Sequence, residues 1–463
     1  MPTAPFLTTD LGFTDLLGYL QQSLQAQPQA QLLSLTVPLP LQDPLLTLTG
    51  LGESEPLFYW EQADQQLAIA AVGRAASIEL TGPQRFSQSQ AFIDTCLRHT
   101  RVLPEADTAL RFCCSFGFAA DSRDPQPPFA PATLFLPRWQ LLRQGDRCQL
   151  TINLSLEGAP SVRELAERLW AIRSRVLLRR SPLPESPDNH WIEQQSGDRD
   201  RFRQSVERAL TAIGQGRLEK VVLARTLDGV AAEPFQLAPV LDRLRRQYPD
   251  CTVFGWGNGQ GSLFLGASPE RLVQLRQGQV HTEALAGTAP RHGDRQRDQD
   301  LGEELSASPK DLHEHELVAA FICEQLTQLG LVPERAIAQP QLRRLSTLQH
   351  LQTPIQARQE PGVTLLDLVE QLHPTPAVAG LPRQAACQLL RQQEGFERGL
   401  YAAPIGWINA QGDGEFVVGI RSALLQGRRA RLYAGAGIVA GSQPDRECQE
   451  VDLKLRSLLE ALI

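Results

Sequence analysis

The chain has 463 residues, is 42% hydrophobic and 21% charged, and carries a net charge of −7, the profile of a globular protein with mass for one large domain or two to three smaller ones. No basic run with interleaved aromatics occurs, so nucleic acid is not an expected partner, and an anionic small substrate would need a local basic site. Eight cysteines without C-x-x-C spacing argue against a zinc ribbon and for reduced thiols.

In chain order, residues 1 to about 180 give a mixed signal, with a helix expected over 15–25 and strands over 32–37, 67–72 and 148–154. The opening residues lack a basic region leading into an apolar one, and no run of about eighteen apolar residues follows anywhere. The expectation is a cytoplasmic protein that does not span a membrane. The stretch 181–189, with Pro182, Pro184 and Pro187, is the best internal boundary, or else a long surface loop. Beyond it the pattern predicts helices over 203–213 and 235–247 and strands over 219–226, 252–256, 262–266, 271–275 and 280–285. Short glycine-containing turns such as Arg276-Gln277-Gly278-Gln279 favour antiparallel pairing and an α+β fold with helices covering the sheet.

Two acidic helix starts stand out. Ser308 suits an N-cap, Pro309 the first helical position, and Asp311 completes the capping pattern of a helix over 309–328. Asp311 and Glu314 then share a face. The second start repeats the design: Ser442 caps, Asp445 sits three residues on, and Glu447, Glu450 and Lys454 fall on one face. Brought together, the two faces would form an all-oxygen site suited to Mg rather than zinc. The spacing equally describes two solvated helix faces. His313 and His315 point to different sides of their helix, and H-E-x-x-H is absent, which argues against zinc.

Single residues add candidates. Lys220 shares a strand face with Val222 and Ala224, so it is either a base on an apolar face or a strand-end lysine whose stem snorkels. Glu270 follows the turn expected at Gly266-Ala267-Ser268-Pro269 and could aim a carboxyl into a cavity; a surface glutamate fits too. Ala286-Gly287-Thr288 and Gly435-Ala436-Gly437 each read as following a strand, where backbone N–H groups could meet an anion or simply turn the chain. Arg421 ends a strand-like run and could clamp a carboxylate. His350 and His373 read as histidines beside proline turns.

Together these pieces resemble the chorismate-binding superfamily (anthranilate synthase component I-like), and within it the isochorismate synthases. The matching text is 220–225 (KVVLAR), 265–272 (LGASPERL), 285–289 (LAGTA), 313–317 (HEHEL), His350-Leu351, 373–377 (HPTPA), Arg421, 433–439 (YAGAGIV) and the Glu447/Glu450/Lys454 helix, in the family's order. The resemblance covers roughly 200–460; it implies a catalytic region over 191–463, with 1–190 as a loosely matched N-terminal part of the same fold. That fold would be two packed, mainly antiparallel sheets with helices outside and the active site in a cleft between them. By the same resemblance Lys220 is the general base that activates water and must be neutral. Glu270 is the general acid, Glu314 and Glu450 are direct Mg ligands, and Asp311 and Glu447 form the metal's outer shell. Thr288, Arg421, Gly435 and Lys454 contact the substrate chorismate, and His350 belongs to the pocket. A monomer without a glutaminase subunit is implied.

Anthranilate and aminodeoxychorismate synthases resemble the chain too. They use ammonia, however, and Lys220 together with Leu285-Ala286-Gly287-Thr288 departs from their pattern in favour of water. Salicylate synthase, which shares the lysine and then eliminates pyruvate, is the runner-up; a protein that binds chorismate or Mg without turnover is the third reading. Whether the product feeds quinone (menaquinone or phylloquinone) or siderophore biosynthesis is open at this stage.

Overall fold

The computed structural model describes residues 12–24, 30–49, 54–104, 109–178 and 189–463. Most of the 181–189 stretch lies outside them. Two sheets, of 13 and 10 strands, dominate the described residues, and nearly all neighbours run antiparallel, the parallel pair being Leu32–Pro38 with Thr100–Leu103. This is the α+β, two-sheet architecture that the resemblance implies.

The N-terminal residues are woven into both sheets. Strand Pro56–Gln62 pairs with Thr252–Asn258 in the large sheet, and Arg111–Phe116 pairs with Pro404–Asn409 in the small one. Between the sheets lies an aromatic core that includes Phe58, Trp60, Phe112, Phe254, Trp256 and Phe416. Helices cover the other face of the large sheet, where Val221 and Leu223 meet Val206, Leu455 and Leu458. Period-two alternation therefore sends Val221 and Leu223 toward the helices and Val222 and Ala224 inward.

Locally encoded helices match their signals. Helix Pro309–Gln328 has Ser308 as N-cap, its side chain accepting from the Asp311 N–H. The first helix is Phe13–Ser23, and the helix expected from 203 begins earlier, at Arg199, because Asp198 caps it by accepting from the Arg201 N–H. Strands run longer than their local pattern. The strand expected over 219–226 is Lys220–Ala231, held by Arg429–Val439 along its length, and the one expected over 280–285 is Gln279–Pro290, held by Leu348–Arg358.

Four expectations are corrected. Ser442 is not the cap of the last helix, Pro444–Leu462: Gln443 occupies that position, and the Ser442 hydroxyl accepts from the Val439 N–H. Gly435 and Gly437 lie inside strand Arg429–Val439, and Gly287 sits at a bulge inside Gln279–Pro290, so none of them follows a strand. His350 is in strand Leu348–Arg358, opposite Thr288, rather than beside a proline turn. Gly266, Ala267 and Ser268 complete strand Ser262–Ser268 of the large sheet, so only Pro269 and Glu270 separate it from strand Arg271–Arg276 of the small one.

That connection places the site. Strand Lys220–Ala231 belongs to the large sheet and Arg271–Arg276 to the small one. The helix Pro309–Gln328 packs on strand Gln279–Pro290 of the small sheet, and Pro444–Leu462 packs on Arg429–Val439 of the large one.

Candidate active site

A cavity of about 410 Å³ opens between the sheets and is lined by Lys220, Glu270, Thr288, Asp311, Glu314, His350, Arg421, Gly435, Glu447, Glu450 and Lys454. Every residue singled out for the site therefore faces one space.

Lys220 is 1% exposed, and its Nζ lies 2.9 Å from Glu314 Oε1. The amine comes from the large sheet and the carboxylate from the helix over the small one, so the pair spans the cleft. Strand register sets Val222 opposite Gly437, and the glycine makes the pair possible: a Cβ at 437 would stand 2.5 Å from Glu314 Oε1 and 3.3 Å from Lys220 Cε. The expected result of Gly437→Ala is a folded protein with turnover lowered by about 100-fold, since displacing reacting groups by about 1 Å has that order of effect. Steady-state rates alongside thermal melts check this, and near-normal turnover would show that the contact is not needed.

Glu270 is buried, and its carboxyl is pushed up to about 8, first by burial, then by the charge of Glu283, with Lys220 pulling the other way. Its backbone is fixed at the crossover, where the Ser268 hydroxyl accepts from the Glu270 N–H at 3.2 Å and donates to the Val418 carbonyl at 2.6 Å.

In the same cavity Arg421 Nη2 meets His350 Nε2 at 3.0 Å, while His350 Nδ1 lies 3.1 Å from Thr288 Oγ1 and 3.3 Å from the Gly287 carbonyl. Burial first, and then the charges of Arg421 and Lys454, hold His350 well below the usual histidine range, so it is neutral. Arg421 can only donate, so Nε2 accepts and the ring proton sits on Nδ1, directed at Thr288 and Gly287. Arg421 lies three residues past strand Gly414–Val418, at a φ of 47°. No carboxylate among the described residues pairs with it. The other histidines stand apart: His315 is buried against Thr353 Oγ1 at 2.8 Å, His313 is exposed, and His373 contacts the Phe118 carbonyl.

The acidic faces do converge, each with a lysine attached. Lys310 Nζ is 3.3 Å from Glu447 Oε1, and Lys454 Nζ is 2.7 Å from Glu450 Oε1 and 3.0 Å from the Gly435 carbonyl. Gly435 thus turns a carbonyl toward Lys454. Asp311 is raised by burial and by repulsion from Glu314 and Glu450, with Ser308 opposing; Glu447 is raised by burial and Glu450, with Lys310 opposing.

A family model described as chorismate binding enzyme matches residues 19–463. The chain belongs to this family. It is 41% identical over 436 residues to the salicylate biosynthesis isochorismate synthase of Pseudomonas aeruginosa, covering 91% of this chain and 88% of that one. With the isochorismate synthase MenF of Escherichia coli it shares 35% identity over 472 residues, 98% and 99% of the two chains. The solved structure of that menaquinone-specific enzyme superposes with a TM-score of 0.80 at 31% identity, covering 97% of this chain and 99% of that one. Anthranilate synthase component I from Streptococcus pneumoniae, at 20% identity and a TM-score of 0.69, shares the fold.

For this member of the chorismate-binding family the donor chemistry fits a hard dication: besides Glu270, four carboxylates from the two helices face one cavity, and two of them, Asp311 and Glu447, are raised by burial and by the neighbouring glutamates, a repulsion that a cation would relieve. As they stand, no three such side chains among the described residues are drawn around one point, and a lysine lies at each of the three glutamates instead. Lys310 is the residue that sequence reasoning passed over here. Its neighbour Asp311 carried the signal, but nothing local says that Lys310 turns toward a helix beginning at Pro444. Tyr401 and Tyr433 also line the cavity, stacked with ring centroids 5.0 Å apart.

Proposed function

We propose that this protein is an isochorismate synthase, an isomerase that converts chorismate to isochorismate. The observation that carries the reading is a buried amine on the large sheet and, at the crossover between the sheets, a buried carboxyl pushed up to about 8 by burial, both lining one cavity. The reaction needs such a pair at separate positions. Water adds to one ring carbon while the hydroxyl leaves from another and the double bonds shift. Lys220 takes the proton from the attacking water, and Glu270 gives its proton to the departing hydroxyl. To take that proton Lys220 must be the neutral amine: the ammonium form that pairs with Glu314 has no lone pair and must first give up a proton of its own.

Chorismate carries two carboxylates. Arg421, steadied by neutral His350, supplies a fixed cation for one of them, with Thr288 on the same histidine and Lys454 and the Gly435 backbone lining the same cavity. Glu314 and Glu450 would hold Mg directly, with Asp311 and Glu447 behind them through water. Bound there, the metal supplies charge neutralisation for a substrate carboxylate. The eight cysteines are free thiols and no helix of the described residues is long and apolar enough to cross a membrane, which supports a cytoplasmic enzyme. The reading also takes it to act as a monomer without a glutaminase subunit.

Incubation of the purified protein with chorismate, with and without Mg, followed by chromatography and a pyruvate assay, tests this. Isochorismate without pyruvate, formed only when Mg is present, is expected. Salicylate with stoichiometric pyruvate would replace the reading with a salicylate synthase, and no product under either condition would leave a binding protein.

A further inference from the structure

We infer that the buried ion pair Glu394–Arg398 is a positioning device for the strand that carries Lys220, standing in for a missing neighbouring strand. This rests on the role given to Lys220 above. Strand Lys220–Ala231 is paired along one edge by Arg429–Val439, but its other edge is covered only at the ends: Lys220 and Val221 by Gly380–Leu381, and residues from Leu227 onward by Trp191–Ser196. The middle of that edge has no strand beside it. Its backbone groups must still find partners, because the strand is buried there.

Two of those partners are the ion pair itself. The Ala224 N–H donates to Glu394 Oε1 at 2.9 Å, and Arg398 Nη2 donates to the Val222 carbonyl at 2.7 Å. The pair is two-pronged, with Arg398 Nη2 2.6 Å from Glu394 Oε1 and Nε 2.8 Å from Oε2, and the side chains are 3% and 5% exposed. One carboxylate and one guanidinium thus offer the acceptor and the donor that an adjacent strand would have offered, two and four residues from Lys220.

The guanidinium reaches further. Its Nη1 donates to the Val378 carbonyl at 2.7 Å, and its plane lies over Phe118 and, at 5.6 Å, over the ring of Tyr401. Val222, Val378 and Tyr401 all line the catalytic cavity, whereas Glu394 and Arg398 do not. The pair therefore holds three walls of the site without touching substrate. A hydrogen-bonded strand would fix only the first of them.

The test uses full-length Arg398→Lys and Glu394→Gln, the second of which keeps an acceptor for the Ala224 N–H while removing the charge. With kcat and KM for chorismate measured well below each melting temperature, kcat is expected to fall about 10- to 100-fold while KM stays within about threefold, because the hydrogen bonds of the pair run to Ala224, Val222 and Val378 and not to the side chains of Thr288, Arg421 or Lys454. Unchanged kcat in a folded variant with a lowered melting temperature would reduce the pair to a structural role and overturn the inference. Amide exchange of the unaltered protein gives an answer that needs no variant. The Ala224 N–H is expected to exchange as slowly as its neighbours inside the strand ladder, and rapid exchange would overturn the clamp. Lys220→Ala, assayed in parallel, separates the two claims: turnover by that variant removes the catalytic reading of Lys220 whatever the clamp does.

Discussion

Lys220→Ala is expected to lower kcat for chorismate by about 10²- to 10⁴-fold, the range over which a positioned general base acts, in a protein that still folds. The fold should survive for reasons visible in the structure. Lys220 ends its strand, its backbone stays paired to both Val439 and Leu381, and the side chain fills cavity wall rather than the aromatic core. Its removal leaves Glu314 without an ammonium, but that carboxylate borders the cavity with its side chain 12% exposed and can take water in its place. Lys220→Arg sharpens the result. Arginine preserves the positive charge facing Glu314 but cannot give up its proton at physiological pH. A lysine needed only to neutralise Glu314 would be replaced with activity retained; a lysine needed as base would not. Isochorismate formation, followed by chromatography, decides between them, and a normal rate in either variant would remove the assignment.

The sequence carried some of this more clearly than the rest. Helix Pro309–Gln328 was legible at both ends because its signals are local: a serine that caps, a proline that fits the first turn, and an apolar period between. Strand lengths were not. The Lys220 strand runs on to Ala231 because residues some two hundred positions away pair with it, and no window on the sequence contains them. Gly435 and Gly437 looked like turn residues because glycine most often marks turns; here Gly437 makes room for a lysine–glutamate contact between residues 94 positions apart. Periodicity showed that Glu447, Glu450 and Lys454 share a face, not that Lys310 would meet it. The site residues were found together through the resemblance, whose motifs lie in the part of the chain that lines the cavity. No residue before Lys220 lines it among the described residues, so the N-terminal part, which builds both sheets, had no chemistry to display.

Glu270→Gln is the other substitution with a large expected effect, and it reads out twice. Turnover should fall by about 10²- to 10⁴-fold, since an amide has the carboxyl's shape but no proton to give the leaving hydroxyl. In the unaltered enzyme the same proton sets an alkaline limit: with Glu270 pushed up to about 8, kcat/KM should decline as pH rises through that value. The second readout is stability. Burial raises the carboxyl above its unfolded value of about 4.3, so the folded state binds the proton more tightly than the unfolded chain does. Its contribution to stability is therefore fully present below about pH 4 and is lost as pH rises toward about 8, at up to ~1.4 kcal/mol for each unit of displacement. Glutamine carries no such proton. The variant should show a flatter dependence of melting temperature on pH between about 4 and 8, and above that range it should outlast the parent protein by roughly 1–4 kcal/mol. An inactive Glu270→Gln whose melting profile runs parallel to that of the unaltered protein would mean that Glu270 titrates as an ordinary carboxylate. It would then be ionised at working pH, and the proton for the departing hydroxyl would have to come from another group in the cavity.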